Sequence, residues 1–356
     1  MRKGLAQKKL RALAGFLRWT LNRLQIRVLG YNRKVLLWLA AVPALWLAGS
    51  VESPAQPPTG QPGQPPASLA PVLARVSEEA AVFQQNIVRA VSQETLEQRS
   101  WMPPSRFQPR VGQSAAVVPQ PRLQTRLIVS EYSVGILNES ESRDLVEFRQ
   151  VVSVDGKAIR SQASARHALS LGLQSPDARV RKRMLEDFAR NGLVDIATDY
   201  GLILLAFGKR GIADMQFAEE PERQAGAETV RSILWKQLTP EGGELQFHGR
   251  QFTRIPLAGR LLVRKADSLP IAIEVWAESV DSNKQKIRDE AVVAYQMSEH
   301  GFLTPVSVIH RHRVNGAILT ENHYRYEPFK LFSADAEIQF DQLPETPPPP
   351  APPADK

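Results

Sequence analysis

The sequence predicts an α+β fold, an antiparallel β-sheet with a long N-terminal helix and a helical insertion. Three observations carry this. Between Leu123 and Phe340 some ten segments have strand character, among them Leu123–Tyr132, Arg143–Val154, Glu228–Gln237, Pro270–Glu278, Ile287–Met297, Leu303–Val314 and Ala317–Tyr326. In several, apolar and polar residues alternate, as in Ile271, Ile273 and Val275 against Glu274 and Trp276, the pattern of a sheet with one buried face. Asp155-Gly156, Glu241-Gly242-Gly243 and Asn315-Gly316 are the tight turns that join antiparallel neighbours. Leu69, Leu73, Val76, Ala80, Phe83, Ile87 and Ala90 draw one apolar stripe at helical spacing ahead of the strands.

The N-terminal leader, residues 1–34, carries ten Lys or Arg and no acid. It runs into residues 35–51, 17 uncharged and mostly apolar positions. Such a pair reads as a signal peptide h-region or a membrane anchor, and the positive-inside rule keeps the leader in the cytoplasm and sends the rest across the membrane. Small residues at Ala48-Gly49-Ser50 and Ser53-Pro54-Ala55 offer cleavage sites, whereas the long leader favours a retained anchor, so both outcomes stay open. The leader is itself amphipathic, and lying on the anionic inner leaflet is an alternative to a passive role. Residues 52–68, rich in Pro, Gly and Gln, form a tether with too little apolar surface to fold.

A folded domain is predicted from 69 to 343. It opens with a helix over 69–98, Ser68 serving as N-cap and Pro71 lying in the first turn. The stripe would pack on the protein's own sheet or, alternatively, pair in a coiled coil. The helical insertion spans 176–207. Ser175, Pro176 and Asp177 start a helix that buries Val180, Met184, Leu185 and Phe188 and stops at Asn191-Gly192. Leu193–Phe207 would pair with it as a hairpin. Arg179, Arg181, Lys182, Arg183 and Arg190 give this helix a basic surface, for solvent or for anionic headgroups or an acidic partner. A Pro-rich tail, 344–356, reads as extended.

Charge and composition bound the function. With the leader's ten removed from the 45 Lys and Arg, the 35 left face 37 Asp and Glu. The basic overall balance is therefore no sign of nucleic-acid binding. The absence of cysteine excludes disulfides, thiolate metal sites, a cysteine nucleophile and a lipidated N-terminal cysteine. No phosphate loop, nucleophile elbow, zincin helix or calcium loop occurs, and neither catalytic nor cofactor-binding residues are assigned. A two-residue turn at Asn315-Gly316 would set His310 opposite Glu321 and Val308 opposite His323, with His312 on the same face. His310, Glu321 and His323 are thus a weak candidate metal group of the type zinc uses, the plain alternative being a polar outer sheet face. Of the rest, His167 reads as a loop residue and His248 as the end of a strand. Trp235 and Trp276 would fill a core or line a hollow. The run Glu139, Glu141, Asp144 and Glu147 reads as a solvated hairpin.

The long helix, the many antiparallel strands and the helical insertion resemble the lipoprotein-localisation factors (LolA/LolB-like). More closely, residues 125–341 resemble a family of uncharacterised exported bacterial proteins. That likeness rests on Val152-Ser153-Val154-Asp155-Gly156-Lys157, Gly301-Phe302-Leu303-Thr304-Pro305, Glu321-Asn322-His323-Tyr324-Arg325-Tyr326 and Phe329. The resemblance implies a strongly curved sheet, a half-barrel, wrapped around a helical plug over an apolar hollow. It also implies an extracytoplasmic cell-envelope protein that is not an enzyme and binds or carries a lipid or a lipoprotein acyl chain. An envelope scaffold with a plain packed core is the alternative, and a metal-dependent hydrolase the third reading. The expected partners are the membrane, through the N-terminal segment, and that ligand.

Overall fold

The computed structural model describes residues 65–102, 120–137, 144–174, 178–225, 228–239, 244–248, 251–281 and 283–332. The leader, the apolar segment 35–51, most of the tether and the C-terminal tail lie outside them. The chain forms two compact units, Met1–Pro57 with Trp101–Gln124 and Pro58–Ser100 with Thr125–Lys356. Of the first, only residues 101–102 and 120–124 are described. The second holds every described helix and all but the ends of two strands.

Helix α1 (Ala70–Ile87) begins at Leu69, which takes the N-cap position in place of Ser68 without a side-chain capping bond. Its stripe, Leu69, Leu73, Val76, Ala80, Phe83 and Ile87, is almost wholly buried in the domain's own core. The packing on its own sheet is thereby explained without a second helix. The helix does not continue to residue 98. Ala90–Met102 is strand β1, whose alternate residues Ala90, Ser92, Glu94, Leu96, Gln98 and Ser100 are buried.

The remaining strands are β2 (Arg122–Leu137), β3 (Asp144–Val154), β4 (Lys157–Ala158), β5 (Met215–Ala225), β6 (Glu228–Gln237), β7 (Glu244–His248) and β8 (Gln251–Ile255). Then come β9 (Ala258–Arg264), β10 (Pro270–Val280), β11 (Lys286–Met297), β12 (Leu303–Val314), β13 (Ala317–Tyr326) and β14 (Lys330–Leu331). Twelve of them form one sheet in the order β4-β3-β2-β1-β13-β12-β11-β10-β9-β6-β5, with β14 beside β1, while β7 and β8 pair as a separate hairpin. Every strand pair with a described register is antiparallel. The Asp155-Gly156 and Asn315-Gly316 turns both have positive φ at their two central residues, 51° and 79° in one and 50° and 85° in the other. That is the mirror-image turn matching the twist of a hairpin, and Gly supplies half of it without strain.

The inserted helices differ from the expected hairpin. Helix α2 (Gln162–Gln174) precedes α3 (Ala178–Arg190), and His167 lies on α2, not in a loop. The two come together where Gly172 faces Val180 so closely that an added Cβ would sit 3.2 Å from its methyl. Residues 193–199 are not helical. They form an irregular strap with positive φ at Asp195 and Asp199, leading into a 3-10 helix, Tyr200–Phe207, and then α4 (Lys209–Ala213).

The sheet curls around this 3-10 helix. Near its start Gly201 is bonded to Glu147 on β3, and at its end Phe207 packs edge-on against Trp235 on β6, ring centroids 5.3 Å apart. Those strands are eight places apart in the sheet, which on a flat sheet would be roughly 38 Å. Eight residues of 3-10 helix reach only about 16 Å. Strong curvature with the 3-10 helix on the concave side reconciles the two lengths.

Tight packing continues under Trp235, which faces Gly259 across β6 and β9. A Cβ on Gly259 would lie 2.7 Å from the indole and 2.0 Å from the carbonyl oxygen of Glu274. Gly in a strand here marks close approach of neighbours. Gly259→Ala is expected to cost about 1–3 kcal/mol or more through forced separation of strands, checked by urea unfolding.

The outer face of the sheet is charged and laterally paired. Arg260 bridges Glu220 and Glu274, Arg288 bridges Glu278 and Glu290, Arg313 reaches Glu290, and Arg311 reaches Glu321. Trp276 lies on this side, with the guanidinium carbons of Arg260 and Arg288 at 5.7 and 5.0 Å from its ring. It is half-buried, whereas Trp235 fills the core.

Candidate functional site

The concave face combines an apolar lining with buried polar side chains that fasten the strap. Ile87, Leu96, Ile128, Ile273, Val293, Val308 and the aromatic rings of Phe83, Tyr295 and Phe207 belong to one continuous buried cluster. Within it the strap carries backbone groups that must find partners, since an unpaired buried N–H or C=O is costly.

Six side chains from the sheet fasten the strap and the start of the 3-10 helix, five through backbone groups and Thr320 through the Asp195 carboxylate. Gln98 on β1 donates to the carbonyl of Val194 (2.7 Å) and accepts from its N–H (2.9 Å), and also donates to Asn322 (2.6 Å). Asn322 on β13 donates to the Asp195 carbonyl (2.8 Å), Thr320 donates to the Asp195 carboxylate (2.9 Å), and the Tyr324 hydroxyl donates to the Ala197 carbonyl (2.9 Å). Glu147 on β3 accepts from the N–H groups of Asp199 and Gly201, each at 2.9 Å, while its own N–H donates to the Asp199 carboxylate at 2.9 Å. On β11 the Tyr295 hydroxyl donates to the Gly201 carbonyl (2.9 Å) and accepts from the Leu204 N–H (3.2 Å). The strap is thus latched by strands from both halves of the sheet.

Glu147 belongs to a buried charge cluster and not to a solvated hairpin. It and Arg149 and Glu94 are each about 1 % exposed in their side chains. Arg149 Nε bonds both oxygens of Glu94 (2.7 and 2.8 Å) and its Nη2 bonds Glu147 (2.6 Å). The guanidinium carbon lies 5.1 Å from the Tyr132 ring centroid and 5.4 Å from that of Tyr324. The Tyr132 hydroxyl donates to Glu147 (3.1 Å). Arg181 on α3 closes the cluster by pairing with Asp199. Burial raises the carboxyl of Glu94 above the ordinary range against the pull of Arg149, and burial likewise raises Asp199 against Arg181. The phenols of Tyr132, Tyr324 and Tyr326 are raised by the same desolvation. Of the sequence's acidic run, Glu139, Glu141 and the Asp144 side chain lie outside the described residues.

The candidate metal residues are divided between the two faces. Close to the turn the register is the expected one, with Val314 opposite Ala317. An irregularity between His312 and Arg313 then shifts it by one, setting His310 opposite Asn322 and Arg311 opposite Glu321. Glu321 and His323 face outward and pair at 3.0 Å. With the His323 contact and Arg311 beside it, the Glu321 carboxyl falls to about 2. His310 faces inward, stacked on Tyr200 at 5.4 Å and bonded to Asn322 (3.1 Å). Among the described residues no group of three or more His, Asp or Glu is arranged to hold a metal ion.

On the inner side Asp289 contacts both His312 (2.7 Å) and His310 (3.4 Å). Burial opposes charge on Asp289 and on His312, but their hydrogen bonds prevail, lowering the Asp289 carboxyl far below its usual 3.8 and raising His312 above 6.5. For His312, raised in the folded state, the stabilisation is complete below about 6.5 and is lost as pH rises through the raised value. For Asp289, lowered on folding, it is complete above about 3.8 and is lost as pH falls toward the folded value. The unfolding midpoint is therefore expected to decline above pH ~6.5, and His312→Gln to flatten that decline, measured by urea titrations at a series of pH values.

No family model matches the chain, and no curated protein does. Among solved structures, it is similar to a putative outer membrane lipoprotein-sorting protein domain from Vibrio parahaemolyticus, at 10% identity over 75% of this chain and 95% of that one, with a TM-score of 0.28. It is also similar to a LolA superfamily protein from Nitrosomonas europaea, at 12% identity over 73% and 94%, with a TM-score of 0.26. A third is a DUF1329 family protein from Desulfovibrio piger, at 9% identity over 76% and 97%, with a TM-score of 0.29.

Proposed function

We propose that this chain is an extracytoplasmic cell-envelope protein, held near the membrane by its N-terminal segment, that binds or carries an apolar ligand of the lipid or lipoprotein acyl-chain class without acting as an enzyme. The observation that carries the reading is the occupant of the concave face. Tyr200–Phe207 (YGLILLAF) is an uncharged segment lying against the apolar inner side of a curled sheet. It is fastened largely by side-chain bonds to its own backbone and that of the strap before it. The sheet thus accepts a narrow apolar guest along its hollow, and the guest present belongs to the chain itself. A ligand would take this place when the strap and 3-10 helix swing aside.

A second reading, an envelope scaffold with a packed core, is favoured by how well that place is filled, with Phe83 against Tyr295 and Phe207 against Trp235. The two separate on photo-crosslinking. The full chain in detergent is incubated with a photoreactive palmitoyl analogue, irradiated and mapped by peptide mass spectrometry. Carriage predicts adducts on inward residues such as Phe83, Leu96, Val293 and Tyr295. Adducts confined to residues 35–51, or none, would sink the carrier reading and leave the scaffold.

A further inference from the structure

We infer that the exposed face of helix α3 is a docking surface for an anionic phospholipid bilayer. The inference deepens the proposed function, and it rests on residues 35–51 remaining as a membrane anchor. Its starting point is how α3 divides its charges. Met184 and Phe188 are buried beneath the helix, and Arg181 turns toward the strap, where it pairs with Asp199. Arg179, Lys182, Arg183 and Arg190 are exposed. Glu186 is the exposed acid among them, and Asp187 is paired with Arg190. The exposed side of this 13-residue helix therefore sets four bases against two acids, a local excess of positive charge on a chain whose residues beyond the leader hold slightly more acids than bases. A cluster of this sign against that background points to a negatively charged partner surface.

Two further features favour lipid over an acidic protein. Leu171, next to the Gly172–Val180 contact that brings α2 against the start of α3, is 52% exposed. An apolar side chain beside a basic face is the composition of a surface that rests in the headgroup region. The second is reach. Residues 65–68 already turn into α1, where the Leu69 N–H bonds the Pro66 carbonyl, so the free tether is 52–64, rich in Pro and Gly, and 13 residues of extended chain span at most about 40 Å. That is comparable to the roughly 45 Å breadth expected of a domain of this size, so the anchor holds the bilayer within range of the α3 face at high effective concentration. Weak contacts with anionic headgroups are then sufficient.

The test uses the full chain reconstituted into nanodiscs of phosphatidylcholine alone or of phosphatidylcholine with phosphatidylglycerol. Because the sequence contains no cysteine, Glu186→Cys places one donor fluorophore on α3, and an acceptor is attached to the headgroups. Docking predicts energy transfer about twofold higher on the anionic discs. In the Lys182→Gln/Arg183→Gln background that excess should disappear, and high salt should remove most of it. Equal transfer on both compositions, with the chain co-eluting with the discs, would overturn lipid docking and make an acidic protein the partner of this face. A chain that fails to co-elute with either disc would overturn the anchor reading, and this inference with it.

Discussion

Replacing Arg149 with methionine is expected to lower the unfolding free energy by about 3–5 kcal/mol, the usual cost of removing one member of a buried ion pair. The cause is the charge left behind more than the bonds lost. Glu94 and Glu147 would remain in the core with no cation between them, and Arg149 also fills the space between the rings of Tyr132 and Tyr324. The Glu94 carboxyl is already raised by burial with Arg149 present, and without it the neutral form is favoured further. A carboxyl raised in the folded state destabilises when ionised, so the variant should regain stability as pH falls through the raised value. Glu94→Gln added to Arg149→Met should recover much of the loss at neutral pH. Urea unfolding of the two single variants and the double variant closes the cycle. A double variant no more stable than Arg149→Met would contradict this account.

Glu147→Ala is expected to cost about 3 kcal/mol and to free the strap. The carboxylate serves the N–H groups of Asp199 and Gly201, the Tyr132 hydroxyl and Arg149 together. Each buried donor left without a partner costs roughly 1–3 kcal/mol, although losses within one network do not simply add. Because the lost bonds hold the start of the 3-10 helix, the change should appear locally. Amide exchange over residues 194–207 should rise well before that of α1 and β11, and labelling by the palmitoyl analogue on the concave face should increase. Faster exchange with no gain in labelling would separate the latch from ligand entry.

Where apolar periodicity dominates, the fold was legible from residues alone. The stripe from Leu69 to Ile87 is the buried face of α1, and the Asp155-Gly156 and Asn315-Gly316 turns join the hairpins they signal. The alternation fails where a strand faces inward with polar groups. Strand β1 buries Ser92, Glu94, Gln98 and Ser100, so its pattern looks like the polar continuation of a helix. Those residues are inside because two of them, Glu94 and Gln98, hold Arg149 and the strap. The same chemistry hid Glu147, whose many acidic neighbours in sequence suggested solvent. The signal available was weaker, a Glu and an Arg two places apart on one face of a strand otherwise rich in Val and Phe. The histidine group failed for a different reason. One irregularity beside His312 reverses which face Glu321 shares, and a shift of one residue is not encoded in turn sequence.

The position of β1 has a consequence for how the protein comes to be folded. It lies in mid-sheet between β2 and β13, and Ser92 at its start bonds the carbonyl of Glu327, 235 residues later. The seam that unites the two halves is therefore a contact of very long sequence separation, of the sort that closes late and slowly. Strand β1 can pair early with β2, but its other edge must wait for β13, and until Arg149 and the strap are in place Glu94 and Gln98 are exposed to water. For a chain delivered from its N-terminus, this delay keeps the domain from completing early, and the polar inner face of β1 keeps the waiting strand from becoming a sticky edge.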